Sequence, residues 1–113
     1  MISKLHVSYI VVNNLEESKV FYQEVLGFKI KKEEEKYVEF ENNFAIVEKS
    51  EGFYKVEPTD THIMFQVNNI EECYKVLQEK KVDFRLEPLE KPFGKIAAFI
   101  DPNGHVIEII QPI

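Results

Sequence analysis

Val12-Asn13-Asn14-Leu15-Glu16-Glu17-Ser18 and Val67-Asn68-Asn69-Ile70-Glu71-Glu72-Cys73 are two versions of one segment. In each, an apolar run of strand-forming residues leads up to the valine, and a helix-like run follows the asparagine pair. The copies lie 55 positions apart in a chain of 113 residues, so the duplication accounts for nearly all of it. Two related halves imply a pseudo-symmetric fold. Function then turns on which side chains from the two copies point into a shared cleft.

Outward from the first copy, His6 to Val12 is β-branched and aromatic, which suits a buried strand. Asn14 opens a helix, because its side-chain oxygen can accept from the first free backbone N–H groups, and Glu17 can reach back to the Asn14 N–H. Ser18, Phe21, Tyr22, Val25 and Leu26 form one stripe at helical spacing. Gly27 can take the left-handed conformation that ends a helix. Strands are predicted over 28–31, 37–41 and 44–49, with Asn42-Asn43 closing a tight hairpin. Lys31-Lys32-Glu33-Glu34-Glu35-Lys36 reads as a solvated hairpin loop.

The second half repeats this β-α-β-β-β order. A strand is predicted over 61–67, Asn69 and Glu72 repeat the cap, and Ile70, Cys73, Val76 and Leu77 form a narrower stripe. Strands over 82–86, 95–100 and 105–110 follow. Pro88 and Pro92 are expected to bracket a loop, since proline cannot donate in a ladder. Asp101-Pro102-Asn103-Gly104 is a strong turn signal. The reading is one domain, 1–113, with modules over 4–49 and 61–112 joined by 50–60.

Bulk composition excludes several classes of function. A hydrophobic share of 44% beside 30% charged residues suits a soluble globular protein. No apolar run approaches the length of a membrane span, and the N-terminus lacks a signal-peptide layout. A net charge of −6 disfavours nucleic acid and gives no support for a membrane partner. It leaves room for a cationic ligand, although solubility alone accounts for it. The single cysteine, Cys73, rules out an internal disulfide and fits the cytoplasm; on the helix stripe it reads as a small apolar residue.

Paired modules of this order resemble the vicinal-oxygen-chelate superfamily, which includes glyoxalase I, bleomycin-resistance proteins, fosfomycin-resistance enzymes and extradiol dioxygenases. The resemblance is carried by Val12-x-Asn14-Leu15-Glu16, Phe21-Tyr22, Val25-Leu26-Gly27-Phe28, His62 and Asp101-Pro102-Asn103-Gly104-His105-Val106-Ile107-Glu108. It implies an α+β fold in which two tandem βαβββ modules form a cupped eight-stranded mixed sheet with helices outside. It also implies a ligand cleft inside and, commonly, a homodimer.

The family's metal ligands come from the first and last strand of each module. His62 matches the ligand that opens the second module, and strand alternation puts His62, Met64 and Gln66 on the cleft side. A histidine at a strand start serves equally well as a hydrogen-bonded rim residue. Glu108 stands out in the apolar run Val106-Ile107-Glu108-Ile109-Ile110, where a carboxylate is costly unless paired, wet or metal-bound. It matches the family's last-strand glutamate. Glu48 is the candidate from the first module's last strand, against the plainer reading of an edge-strand glutamate. The remaining position falls on Val7, and His6 reaches it only through a bulge. Tyr9 and Val11, with Met64 and Gln66, are expected to line the ligand-binding cleft. His105 is given no role.

Two functions follow from the resemblance. One is a binder of a small organic molecule, like the bleomycin-resistance branch, with a degenerate metal position. The other is a metal-dependent lyase or isomerase of the glyoxalase I type, moving a proton through a metal-bound enediolate. The cofactor would be a divalent ion, Zn, Ni, Mn or Fe, or none at all.

Overall fold

In the computed structural model, which describes residues 1–51, 56 and 62–113, the duplication is visible strand by strand. Contacts divide the chain into two compact units, Met1–Glu57 and Pro58–Ile113. The eight expected strands are present as two four-stranded mixed sheets, one in each unit. Most of the segment joining them, with Gly52 and Pro58, lies outside the described residues, as does Thr61 at the expected start of the fifth strand. Among the described residues, no helix is long and apolar enough to cross a membrane.

The first module runs β1 (Ser8–Val12), α1 (Leu15–Val20), a π-helical turn (Phe21–Val25), β2 (Ile30–Glu34), β3 (Tyr37–Phe40) and β4 (Phe44–Glu48). Its sheet order is β1-β4-β3-β2, with β1 and β4 parallel and the other pairs antiparallel. Asn14 caps α1 as expected: its backbone is extended and its side chain accepts from the Glu17 N–H at 2.9 Å. Asn43 takes the predicted positive φ, 62°, in the β3–β4 hairpin. The core is aromatic. Tyr22, Phe40 and Phe44 are buried and, with Phe28, make ring contacts with centroids 5.2–6.2 Å apart.

The second module runs β5 (Ile63–Gln66), α2 (Ile70–Glu79), β6 (Asp83–Lys91), β7 (Gly94–Ile100) and β8 (Val106–Pro112), in sheet order β5-β8-β7-β6. Asn69 caps α2 by accepting from the Glu72 N–H at 3.1 Å. Ile70, Leu77, Ile107 and Ile109 fill a largely aliphatic core, with Phe99 against Phe84. Asp101 is buried because its carboxylate is spent on the predicted turn, accepting from the Asn103 and His105 N–H groups at 2.9 and 2.8 Å.

Two sequence expectations are corrected. The charged run 31–36 is only partly a loop: β2 extends through Glu34, because an edge strand tolerates exposed charge on its unpaired side. Pro88 does not begin a loop either. It lies within β6, an edge strand whose register shifts between Leu86 and Leu89, so no ladder donor is required of it.

The π turn has a simple origin. From cap to positive-φ terminator is one residue longer in the first module, Asn14 to Gly27, than in the second, Asn69 to Lys81. The extra residue is absorbed by a wider turn, in which the Leu26 N–H donates to the Phe21 carbonyl at 3.0 Å.

Candidate functional site

Each sheet has a face packed on its helix and an opposite, more open face, on which Tyr9 and Met64 are exposed while Ala45, Val47 and Ala98 are buried. In the second module Ile107 and Ile109 are buried on the helix face, so strand alternation turns Val106, Glu108 and Ile110 to the open face. Met64 lies opposite Glu108 in the ladder and Gln66 opposite Ile110. His62, just before β5, has Nδ1 3.4 Å from Glu108 Oε1, an ion-pair distance when the imidazole is protonated. Their side chains are 44% and 21% exposed, so both remain in reach of solvent or a ligand. The neighbouring positions, Ala98 on β7 and Val106 and Ile110 on β8, are apolar. The structure therefore brings His62, Met64, Gln66 and Glu108 onto one surface.

Glu48 is placed differently. It is in phase with Phe44, which packs on Tyr22, and so it belongs to the helix side of the sheet. Its Oε1 accepts from the Leu15 N–H at 3.0 Å and closes the free N-terminus of α1. Gln111 does the same for α2, accepting from the Ile70 N–H at 2.8 Å. The repeat thus pairs Glu48 with Gln111, and Glu108 with a residue three positions before Glu48. That residue is Ala45: it lies opposite Tyr9 just as Glu108 lies opposite Met64, and Tyr9 and Met64 are themselves repeat partners. The counterpart of His62 is Val7. The β1–β4 register is unbroken from Ser8 to Val12, so no bulge within that span shifts the phase of His6.

The first module's open face carries its own polar group, which the sequence reading passed over. Tyr37 and Glu39 lie opposite Val47 and Ala45, so they share a face with Tyr9 and Val11. Glu39 is only 8% exposed. Its Oε1 accepts the Tyr37 hydroxyl at 2.6 Å, and its Oε2 is 3.5 Å from Lys31 Nζ. The Tyr37 hydrogen bond, with help from Lys31, holds the Glu39 carboxyl below the usual carboxylate range. Burial first, and then the bond to Glu39, pushes the Tyr37 phenol up to about 12. The available signal was a charge inside Tyr37-Val38-Glu39-Phe40, the same anomaly that singled out Glu108. Beside this pair, Tyr9, Tyr37, Val47 and the turn Glu34–Lys36 line a hollow of about 450 Å³.

Among the described residues, no cluster of three or more His, Cys, Asp or Glu side chains is arranged to hold a metal ion. The donor set that the fold implies is thus represented by His62 and Glu108, while the equivalent positions of the first module, Val7 and Ala45, carry hydrocarbon. These residues do not fit a tightly held resident ion.

Comparison with known proteins places this geometry in context. Residues 5–113 match the family model described as "Glyoxalase-like domain". The chain is similar in structure to TnmS3, an antibiotic binding protein from Streptomyces sp. CB03234, with a TM-score of 0.82, 24% identity, and 99% of this chain and 98% of that one covered. It is similar to a member of the glyoxalase/bleomycin resistance protein/dioxygenase superfamily from Sphaerobacter thermophilus DSM 20745, with a TM-score of 0.77, 22% identity, and coverage of 97% and 98%. It is also similar to the fosfomycin resistance protein FosX of Listeria monocytogenes, in a complex with Mn(II) and sulfate, with a TM-score of 0.77, 22% identity, and coverage of 100% and 93%. No curated protein matches the sequence.

Proposed function

The chain belongs to the glyoxalase-like domain family, and from that premise we propose that it binds a small organic molecule on the open faces of its sheets without needing a resident metal ion. The observation that supports this most is the ladder position of Glu108. Its counterpart is Ala45, and the counterpart of His62 is Val7, so at these two positions one module offers donors and the other hydrocarbon. The surface groups suit such a ligand: phenol, thioether and amide side chains at Tyr9, Met64 and Gln66, with few polar handles. TnmS3, whose fold the chain shares, is an antibiotic binding protein.

A second reading is a metal-dependent lyase or isomerase of the glyoxalase I type. What favours it is the convergence of His62 and Glu108 at 3.4 Å. FosX shares the fold and binds Mn(II). On this reading His62 and Glu108 would hold the ion, water would complete its shell, and the ion would polarise a substrate oxygen.

Chemical-shift mapping of a library of small organic compounds, run once in EDTA and once with added Ni²⁺ or Mn²⁺, separates the two. The binder reading expects shifts at Tyr9, Val11, Met64 or Gln66 that persist in EDTA. Binding that appears only with metal, and vanishes in His62→Ala, would transfer the conclusion to the enzyme. We also infer a homodimer in solution, and a monomer by light scattering at high micromolar concentration contradicts that.

A further inference from the structure

We propose that the hollow on the first module's open face is a subsite for an aromatic amine or amidine, a flat ring bearing N–H donors, held beside Tyr9 and Tyr37. This rests on the reading of the protein as a small-molecule binder and adds the chemical class that one of its surfaces selects.

The direction of one hydrogen bond sets the chemistry that this hollow accepts. Tyr37 gives its hydroxyl hydrogen to Glu39 at 2.6 Å. A ligand group that reaches the phenol oxygen therefore meets lone pairs only, and must itself be a donor. Glu39 is fixed as the acceptor of that bond: it is buried, ionised at neutral pH, and kept charged by the same hydroxyl and by Lys31. The rest of the lining agrees. Glu35 adds a carboxylate at the rim beside Glu34, whose own carboxylate is 3.3 Å from Lys32 Nζ, while Val47 and the two tyrosine rings supply apolar wall. Lys36 also stands at the rim, but it is an exposed residue on a flexible stem that can turn its ammonium to water.

The Tyr37 ring already shows its preference for positive charge, with Lys32 Nζ 6.0 Å from its centroid. Tyr9 is 46% exposed and lines the hollow beside Tyr37. A volume of about 450 Å³ admits one ring with a short substituent. A carboxylate or phosphonate ligand would instead meet an acceptor-only phenol oxygen beside the Glu35 carboxylate, with no donor from the phenol to receive it.

The second module's open face is built differently. The ladder neighbours of its carboxylate, Glu108, are Met64 and Ala98, and its nearest polar partner is an imidazole. The two open faces therefore present different chemistry.

The test uses four probes of one size, benzylamine, benzamidine, benzyl alcohol and benzoate, titrated at neutral pH while the Tyr9, Tyr37 and Val47 side-chain resonances are followed. Benzylamine and benzamidine are expected to shift them, benzyl alcohol more weakly, and benzoate not at all. Tyr37→Phe is expected to weaken benzylamine about tenfold, the worth of one hydrogen bond to a charged group, while changing benzyl alcohol less than about twofold. Glu35→Gln, on an exposed turn where folding is not at stake, is expected to weaken benzylamine by about two- to threefold. Benzoate binding as tightly as benzylamine, or benzylamine unaffected by Tyr37→Phe, overturns the proposal. If organic probes shift only Met64 and Gln66, the subsite fails and the small-molecule reading stands. If no probe shifts either face, both fail.

Discussion

The two modules share a topology and differ in almost everything that the topology leaves open. The first packs aromatic rings, Tyr22 with Phe28, Phe40 and Phe44; the second packs mainly aliphatic groups, Ile70, Leu77, Ile107 and Ile109. The first ends its helix on Gly27, one residue late, and the second on Lys81. On the open faces the carboxylate has changed strands. It is Glu108 on the last strand beside Ala98 in the second module, and Glu39 on the third strand beside Ala45 in the first. The helix-facing side of each sheet must fill a core and close a helix end, so its pattern survives duplication. The opposite side closes no helix end, and it carries different polar groups in the two modules.

The largest effect expected is in the aromatic core. Phe44→Ala removes the ring that touches Tyr22, Phe28 and Phe40 and should cost about 3–5 kcal/mol in urea denaturation. A loss below about 1 kcal/mol would show that these rings do not organise the first module. Next come the side chains that close the helices. Glu48→Ala and Gln111→Ala should each cost about 1 kcal/mol, since each leaves a helix N–H without its acceptor. Glu48→Gln, which copies the second module into the first, should stay within about 0.5 kcal/mol of the wild type. A large loss from that change would mean Glu48 has a duty that an amide oxygen cannot perform.

The helix terminators should respond with opposite signs. Gly27→Ala forces a side chain into positive φ, where nothing else is within 4 Å, and should cost about 1 kcal/mol. Lys81→Gly relieves that strain at φ 66° and should gain about 0.5–1 kcal/mol. Equal signs would break the correspondence drawn between the two helix ends.

The smallest effect concerns pH. The Glu39 carboxyl lies below its ordinary range when folded, so its contribution is present at neutral pH and lost as pH falls through the folded value. Tyr37 is raised to about 12, so its contribution is intact below the ordinary phenol value near 10 and lost as pH rises toward 12. Phenolate absorbance should show a tyrosine ionising near 12 that is missing in Tyr37→Phe, and a shallower acid slope of stability in Glu39→Gln. Unchanged titration curves in both variants would detach this pair from the first module's open face.

Much of the fold was legible because it rests on local rules. The repeated asparagine caps, the helical stripes and the turns at Asn42-Asn43 and Asp101–Gly104 each state their structure within a few residues. Pro88 misled because its neighbours cannot reveal an edge strand with a shifted register. Glu108 was legible as a charge in an apolar strand, and its approach to His62 as a matter of alternation. Glu48 was harder, because its phase alone does not say which side of β4 faces the helix; the register with Tyr9 and Met64 does. Glu39 escaped notice because its partner, Tyr37, lies two residues away in the same strand and looks like ordinary alternation.

The proposed binder requires that the first module place no metal donor at the counterparts of His62 and Glu108, and the most direct measurement is the metal content of the wild-type protein. Purified protein is incubated with Zn²⁺, Ni²⁺, Mn²⁺ or Fe²⁺, passed through gel filtration and assayed for bound metal. The account predicts far less than one ion per chain, and a clear rise in a Val7→His, Ala45→Glu variant that keeps its fold. One tightly retained ion per wild-type chain, lost in His62→Ala, would contradict it.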